Sequence, residues 1–162
     1  MNTDAPVSIS SPAPTADRIT RGPVYCVVNA GSGRESGEDK AERLRAEFQR
    51  SGRPGEILVA TPGHDVIALA ERAVERADRE GGIVIVAGGD GTVSAVARVA
   101  VPLSVPMGVI PEGTFNLLAR AHGIPENQPE AISVAFNGRA VPVQVGRVNE
   151  LLFLVNASVG LY

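Results

Sequence analysis

The sequence predicts an α/β domain with an open, mostly parallel β-sheet in three layers, in which helices cover both faces. Short runs of uninterrupted apolar residues alternate along the chain with segments of helical periodicity, which is the pattern of strands joined by crossover helices. Three of the four predicted strands also end in a glycine turn, and such turns meet at one edge of a parallel sheet. The predicted strands are residues 24–28, 57–61, 83–87 and 107–110.

The composition is typical of a single α/β domain and argues against a nucleic-acid-binding or membrane-spanning protein. The chain has 162 residues, of which 44% are hydrophobic and 20% charged, and its net charge is −3. A slightly acidic balance does not favour nucleic-acid binding. No apolar run approaches the roughly 18 residues of a membrane span, and the N-terminus lacks the basic-then-apolar order of a signal peptide. We therefore expect a cytoplasmic protein, with peripheral contact at the inner membrane surface left open.

The chain divides into three predicted parts. Residues 1–22 are rich in Ser, Pro, Thr and Ala and predict a disordered leader, residues 23–138 form the α/β domain, and residues 139–162 begin a second, β-rich domain. In that last part the alternating run 141–148 and the apolar run 151–155 predict an antiparallel hairpin.

Apolar periodicity predicts the helices between the strands. The single Cys26 lies in an apolar run and is expected to be buried, and most charges of residues 34–53 and 71–80 are expected on solvated helix faces. The apolar positions assigned to the five predicted helices are Ala41, Leu44 and Phe48; Ile67, Ala70, Val74 and Ala77; Val93, Val96 and Ala97; Phe115, Leu117, Leu118 and Ala121; and Ala131, Ile132, Val134 and Ala135.

The stretch around which the chain is organised is the GGDGT motif at residues 88–92, which we call the second loop. It follows a purely apolar strand and precedes a helix predicted to start near Gly91. Glycines let a backbone turn sharply and approach a bound group, and the free N–H groups of a helix N-terminus favour an anion. Asp90 would repel a bare phosphate, so it indicates a divalent cation or a hydroxyl awaiting deprotonation.

Two more loops repeat this chemistry. The first loop, residues 29–34, reads NAGSGR, and the third loop, residues 111–116, reads PEGTFN. Taken alone, the first could be a structural turn, and Thr114 could be a helix N-cap. Together the three loops predict a nucleotide triphosphate site made mostly of backbone amides. None is followed by the Gly-Lys-Ser/Thr of a Walker motif, and no dinucleotide-binding GxGxxG is present.

In order and approximate spacing, the NAGSG, GGDGT and GTFN segments and the terminal run from Asn156 to Gly160 resemble the diacylglycerol kinase catalytic domain. Its superfamily includes sphingosine, ceramide and bacterial lipid kinases, and the similarity covers residues 24–162. The resemblance implies ATP and Mg²⁺ as cofactors, transfer of the γ-phosphoryl group to a lipid hydroxyl such as that of diacylglycerol, and a fold shared with NAD kinases.

The resemblance also implies roles for particular residues. Asp90 would be the catalytic carboxylate, near Mg²⁺ directly or through water, or would accept the proton of the acceptor hydroxyl; the choice stays open. Arg34 would add positive charge beside the phosphates, and Thr61 matches a threonine that contacts ATP. The implied nucleotide-binding residues are Asn29, Gly31, Ser32, Gly33, Arg34, Thr61, Gly88, Gly89, Gly91, Thr92, Gly113, Thr114 and Asn116.

The sequence departs from the family pattern in two places and leaves alternatives. Ser94 and Ala95 stand where GGDGTxNE has Asn and Glu, and Leu117 stands where GTxND has Asp. These losses favour the alternative of a non-catalytic nucleotide-binding module. An NAD kinase is disfavoured because the third loop lacks the glycine-leucine-glycine-phenylalanine turn. Family members continue into a β-sandwich that completes the cleft, so we expect a truncated second domain and an inactive isolated chain.

Overall fold

The four predicted strands form one parallel sheet, with the order β2-β1-β3-β4. The computed structural model describes residues 19, 21–31, 36–61, 65–149 and 151–155. Its strands are β1 (Val24–Asn29), β2 (Gly55–Ala60), β3 (Ile83–Gly88) and β4 (Met107–Pro111). The register pairs Val24 of β1 with both Gly55 and Ile83, so the strands begin and end nearly level. Their carboxyl ends therefore form one edge.

Five helices complete the described part of the domain. They are α1 (Gly37–Ser51), α2 (Val66–Arg79), α3 (Asp90–Ala100), α4 (Leu117–Ala121) and α5 (Gln128–Asn137). Side chains at the N-caps define where three of them begin: Ser36, Asp65 and Asn127 accept from the backbone N–H of Asp39, Ile67 and Glu130, respectively. Gly52 ends α1 in the left-handed conformation.

Helices on both faces explain why the strands are apolar without alternation. On one face Tyr25 and Val27 pack with residues of α2 and α3, such as Val74 and Val96. On the other face Cys26 packs in a second cluster with residues of α1 and α5. Two clusters on one sheet confirm the three-layer prediction. Burial also raises the pKa of the Cys26 thiol.

Some inward positions predicted for the helices are wrong. Ile67 is 44% exposed because it lies in the first turn of α2, and the buried stripe of that helix begins only at Ala70. Val134 of α5 is 45% exposed, while Ile132 and Phe136 on either side of it are buried. The helix predicted to carry Phe115 begins later, at Leu117, and leaves Phe115 67% exposed.

Three charged side chains between residues 34 and 53 are buried and so are exceptions to the solvated faces expected for most charges of this segment. Lys40 is 3%, Glu47 8% and Arg53 8% exposed. Arg53 is tolerated there because its guanidinium donates to the carbonyl oxygens of Gly22 and Phe136, at 2.7–2.9 Å. Buried charges need such partners.

The predicted hairpin is present but shorter than the sequence pattern suggested. Its antiparallel strands are β5 (Gly146–Val148) and β6 (Leu151–Phe153), and Asn149 between them has a φ of 52°. The preceding residues 141–145 are not in a strand, although they alternate. Pro142 in that run has no N–H to donate to a ladder. The leader up to residue 18 and the terminal run 156–162 lie outside the described residues.

None of the helices in the described ranges is long and apolar enough to cross a bilayer.

Candidate active site

The carboxyl ends of three neighbouring strands carry the three loops, and the loops meet. β1 leads into the first loop, β3 into the second and β4 into the third, while β3 lies between the other two strands. The second and third loops are joined by the N–H of Glu112, which donates to the carbonyl oxygen of Gly88 at 3.0 Å. This edge is the place where ligands bind in open α/β sheets.

Close backbone contact requires the glycines of the second and third loops. A Cβ on Gly113 would lie 2.7 Å from the Cα of Gly89, and a Cβ on Gly89 would lie 3.2 Å from the Cα of Gly113. A Cβ on Gly88 would lie 2.7 Å from the Cβ of Thr92. Glycine at these positions therefore lets the two turns touch at the edge where α3 begins.

The second loop opens a helix whose N-terminus has no side-chain cap. α3 begins at Asp90, one residue before the predicted start, and its N-cap Gly89 has no side chain to accept from the first turn. Among the described residues, nothing outside the helix's own first turns lies within 4 Å of the point where a Cβ of Gly91 would be. An uncapped helix N-terminus beside open space can bind an anion through its N–H groups and its dipole.

Asp90 connects the second loop to the third. Its Oδ1 accepts a hydrogen bond from the backbone N–H of Leu117 at 2.8 Å. Within the described ranges, Asp90 Oδ2 has no hydrogen-bond partner. Leu117 stands where the family has an Asp, so one carboxylate is missing there. The backbone N–H of Leu117 nevertheless holds the carboxylate of Asp90 in place.

A cation that the sequence reasoning missed stands near Asp90. Arg120 of α4 donates to Glu126 at 2.6 Å. The pKa of Arg120 is raised, mainly by its hydrogen bond to Glu126 and, more weakly, by the negative charge of Asp90.

Asn29, in the first loop, orients its neighbours with both ends of its side chain. Its Nδ2 donates to Thr92 Oγ1 at 2.9 Å, and its Oδ1 accepts from the N–H of Gly31 at 2.9 Å. Thr92 is 7% exposed, and its hydroxyl oxygen accepts from Asn29, so its own proton remains available to donate. The structure thus brings together the predicted Asn29, Gly31 and Thr92. The predicted Ser32, Gly33 and Arg34 lie outside the described residues.

Asn116 holds the third loop closed rather than facing the open edge. It is 7% exposed and adopts a left-handed backbone, with φ 50°. Its Oδ1 accepts from the N–H of Gly113 at 2.8 Å, and its Nδ2 donates to the carbonyl oxygen of Gly113 at 2.9 Å. Asn116, and not Thr114, is the N-cap of α4, so the alternative role for Thr114 is wrong. Thr114 is exposed on the loop.

Thr61 is exposed just beyond the end of β2, which is the edge strand next to β1.

Beneath the loops lies an ion pair that the sequence reasoning missed. Lys40 Nζ is 2.7 Å from Glu112 Oε2, and it also donates to the carbonyl oxygen of Asn29 at 3.1 Å. One signal could have revealed Lys40: it precedes Leu44 by four residues and so shares the buried face of α1.

The arrangement fits a triphosphate with a bound divalent cation. The uncapped N-terminus of α3 offers the N–H groups of its first turn to phosphate oxygens. In the described part of the chain no group of three or more His, Cys, Asp or Glu side chains could hold a metal ion. Mg²⁺ does not need one, because it is usually held by one or two carboxylates, water and substrate phosphates. Asp90 Oδ2 can supply that one carboxylate oxygen.

Proteins to which this chain is similar in sequence include lipid kinases. The chain is 36% identical over 137 residues to a diacylglycerol kinase of Bacillus subtilis, covering 83% of this chain and 44% of that protein. It is 33% identical over 113 residues to a probable YegS-like lipid kinase of Cronobacter sakazakii, covering 67% of this chain and 37% of that protein. The chain therefore spans less than half the length of these relatives.

A solved structure agrees with the sequence relatives. The crystal structure of a diacylglycerol kinase from Bacillus anthracis superimposes with a TM-score of 0.69 at 26% identity, over 82% of this chain and 46% of that one. The family model described as the diacylglycerol kinase catalytic domain matches residues 23–148. The chain belongs to the diacylglycerol kinase catalytic-domain family.

Proposed function

We propose that the chain binds Mg²⁺-ATP at its three loops and is the nucleotide-binding part of a lipid kinase. The observation that carries this proposal is the open edge where an uncapped helix N-terminus, two touching glycine turns and one half-bonded carboxylate meet. When bound, ATP supplies the γ-phosphoryl group that becomes joined to the oxygen of a lipid hydroxyl as ADP leaves.

Residues of the first and second loops have distinct tasks in this proposal. Backbone N–H groups of Gly91 and its neighbours at the start of α3 bind phosphate oxygens, since the Gly89 cap leaves them without a side-chain acceptor. The Thr92 hydroxyl, positioned by Asn29, donates to the same group. Asp90 Oδ2 either holds Mg²⁺, directly or through water, or accepts the proton of the acceptor hydroxyl. Both roles for Asp90 need its negative charge.

The acceptor is proposed from the relatives. The Bacillus subtilis relative is named a diacylglycerol kinase, so a lipid hydroxyl such as that of diacylglycerol is the expected acceptor. An acceptor of this kind lies in a membrane, so a cytoplasmic enzyme would contact the inner membrane surface peripherally. This assignment concerns the natural polypeptide that carries the chain, since the chain matches under half of each relative.

Calorimetry with an Asp90→Asn variant tests the proposal. Asn keeps an oxygen that can accept the Leu117 N–H and removes only the charge, so the fold should be unchanged. We expect Mg²⁺-ATP affinity to fall at least about tenfold, which corresponds to about 1.4 kcal/mol. With EDTA present, Asp90→Asn should bind ATP more tightly than wild type does, because the wild-type carboxylate repels metal-free ATP. Asp78→Asn, an exposed carboxylate of α2 near the opposite end of the sheet, is the matched control.

Two outcomes of this calorimetry would change the proposal. If the wild-type chain does not bind Mg²⁺-ATP, the nucleotide site is wrong. If Asp90→Asn binds Mg²⁺-ATP as wild type does, Asp90 does not hold the metal, and the acceptor of the hydroxyl proton is the role that remains for it.

A non-catalytic nucleotide-binding module is the second candidate. It is favoured by Leu117 and Ala95, which stand at positions where the family has acids. The natural polypeptide, assayed with radiolabelled ATP and with diacylglycerol and NAD as competing acceptors, decides between the candidates. Labelled lipid supports the kinase, binding without turnover supports the module, and labelled NAD would contradict both.

A further inference from the structure

Lys40 and Glu112 form an ion pair that is almost completely buried. Their side chains are 3% and 5% exposed, and Lys40 Nζ lies 2.7 Å from Glu112 Oε2. Removing two charges from water costs about as much as their attraction returns, so an apolar pair of similar volume is often equally stable. Stability alone therefore gives a weak reason for this pair, and its position in the fold suggests another.

The pair spans a gap that backbone hydrogen bonds do not close. β1 and β4 lie on opposite sides of β3 and are not neighbours. Adjacent strands are about 4.8 Å apart, so the ends of β1 and β4 are separated by roughly 10 Å. Lys40 reaches across on the side of α1 and α5, where its ammonium contacts the Asn29 carbonyl at the end of β1 and Glu112 just after β4.

This contact closes a ring of three loops. The first and second loops are joined by Asn29 and Thr92, and the second and third by the Glu112 N–H and the Gly88 carbonyl. Lys40 supplies the connection between the first and third loops. It also fixes the carbonyl of the residue whose side chain orients the Thr92 hydroxyl. Any movement of Lys40 would therefore be transmitted to groups that face the open edge.

We propose that Lys40, paired with Glu112, is a positioning residue that ties the first loop to the third across the middle strand and so fixes the phosphate-binding edge. The ligand named here rests on the proposed function, whereas the tie between the loops does not. Lys40 acts through Asn29 and Glu112 and need not touch the ligand itself.

The double variant Lys40→Met/Glu112→Leu tests the tie by removing both charges and keeping most of the volume. Its melting temperature should stay within a few degrees of wild type, because the two opposite charges of the pair are removed together. Three amides whose N–H groups donate to side chains of the loops, those of Gly31, Gly113 and Leu117, should exchange hydrogen at least tenfold faster. Mg²⁺-ATP affinity should fall by at least the same factor.

Two further variants make the test specific. Lys40→Met alone leaves Glu112 buried without its lysine, so it should melt at a lower temperature than the double variant. Arg53→Met removes a buried cation that donates to Gly22 and Phe136, at the other end of the sheet. It should lower the melting temperature while leaving the exchange of the three loop amides and the Mg²⁺-ATP affinity of the folded protein unchanged.

The outcomes separate this inference from the proposed function. Unchanged exchange of the three amides in the folded double variant overturns the inference, whether or not ATP binds. If the double variant does not fold, Lys40→Leu/Glu112→Met, which removes the same contacts with the two apolar side chains exchanged, decides by the same exchange measurement. Failure of the wild-type chain to bind Mg²⁺-ATP overturns the nucleotide site, and the exchange readout still decides on the tie.

Discussion

The two ends of the sheet use polar groups in opposite ways. At the amino ends of the strands, side chains pair with one another. Glu56 accepts from both Arg72 and Arg76, the Tyr25 hydroxyl donates to Glu80, and the Arg76 guanidinium lies 4.7 Å from the centre of the Tyr25 ring. Each charged group of this network has a partner of opposite charge.

At the carboxyl ends, apart from the buried ion pair beneath the loops, side chains bond mainly to backbone and leave capacity for a ligand. Asp90 holds the Leu117 N–H with one oxygen, Asn116 holds Gly113, and Gly89 leaves the start of α3 uncapped. The difference teaches where to look for chemistry on this fold. Satisfied ion pairs at one end contribute to stability, whereas a rigid edge with unused donors and one unused carboxylate oxygen is suited to binding.

The largest expected effect comes from separating the second and third loops. In Gly113→Ala the new methyl would lie 2.7 Å from the Cα of Gly89, which is backbone and cannot rotate away. We expect a loss of about 1–3 kcal/mol in the free energy of unfolding and a fall of about 100-fold in Mg²⁺-ATP affinity.

Gly91→Ala is the matched control for this substitution. Its Cβ would enter open space, so stability should be unchanged or rise by about 0.4–1 kcal/mol. Urea unfolding and calorimetry report the two quantities. Equal affinities of wild type and Gly113→Ala would show that contact between the loops does not matter for binding.

The next effect concerns the left-handed residue of the third loop. Asn116→Ala loses both hydrogen bonds to Gly113 and places alanine at a φ of 50°, so we expect a loss of about 2–3 kcal/mol in stability. Asn149→Ala is the matched control, because Asn149 has a similar φ of 52° but is exposed. This substitution should lower the free energy of unfolding by about 1 kcal/mol. Similar losses, measured by urea unfolding, would mean that the bonds to Gly113 contribute little.

The smallest effect belongs to the opposite end of the sheet and depends on pH. The Tyr25 hydroxyl, and more weakly Arg76, lower the pKa of Glu80 below its ordinary value of 4.5. The stability that this interaction supplies is therefore present above the ordinary pKa and is lost as pH falls through the lowered one. Tyr25→Phe should lower the urea midpoint slightly near neutral pH, and the difference should vanish in acid.

Mg²⁺-ATP affinity should not change in Tyr25→Phe. A difference from wild type that persisted at a pH well below the Glu80 pKa would show that the Tyr25 hydroxyl stabilises the fold by something other than its bond to the ionised Glu80.

Much of the fold could be predicted because its signals are local. Uninterrupted apolar runs identified all four strands to within a few residues, and helical spacing identified the helices between them. Ile67 was misplaced because periodicity cannot show where a helix extends beyond the sheet it packs against. The hairpin was overestimated because alternation in residues 141–145 could not show whether a partner strand lies alongside.

The backbone of the site could be predicted from the sequence, but the side chains that hold its loops in place could not. Glycines after strands predicted where the second and third loops would meet, since only glycine permits that approach. The inward role of Asn116 depends on a left-handed conformation that the GTFN segment does not reveal. Lys40 was missed because a charged residue on a helix is usually solvated, and its partner Glu112 lies 72 positions away. Long-range pairing of that kind leaves no mark on local sequence.

The central claim is that ligand binding is confined to the carboxyl ends of the strands. Titration of Mg²⁺-ATP into ¹⁵N-labelled chain, followed by amide chemical shifts, tests it most directly. The glycine amides of the loops, Gly31, Gly89, Gly91 and Gly113, should shift with saturable dependence on ligand. Those at the opposite edge, Gly52, Gly55, Gly81 and Gly82, should not move. Shifts at the second set, or at neither, would contradict the account.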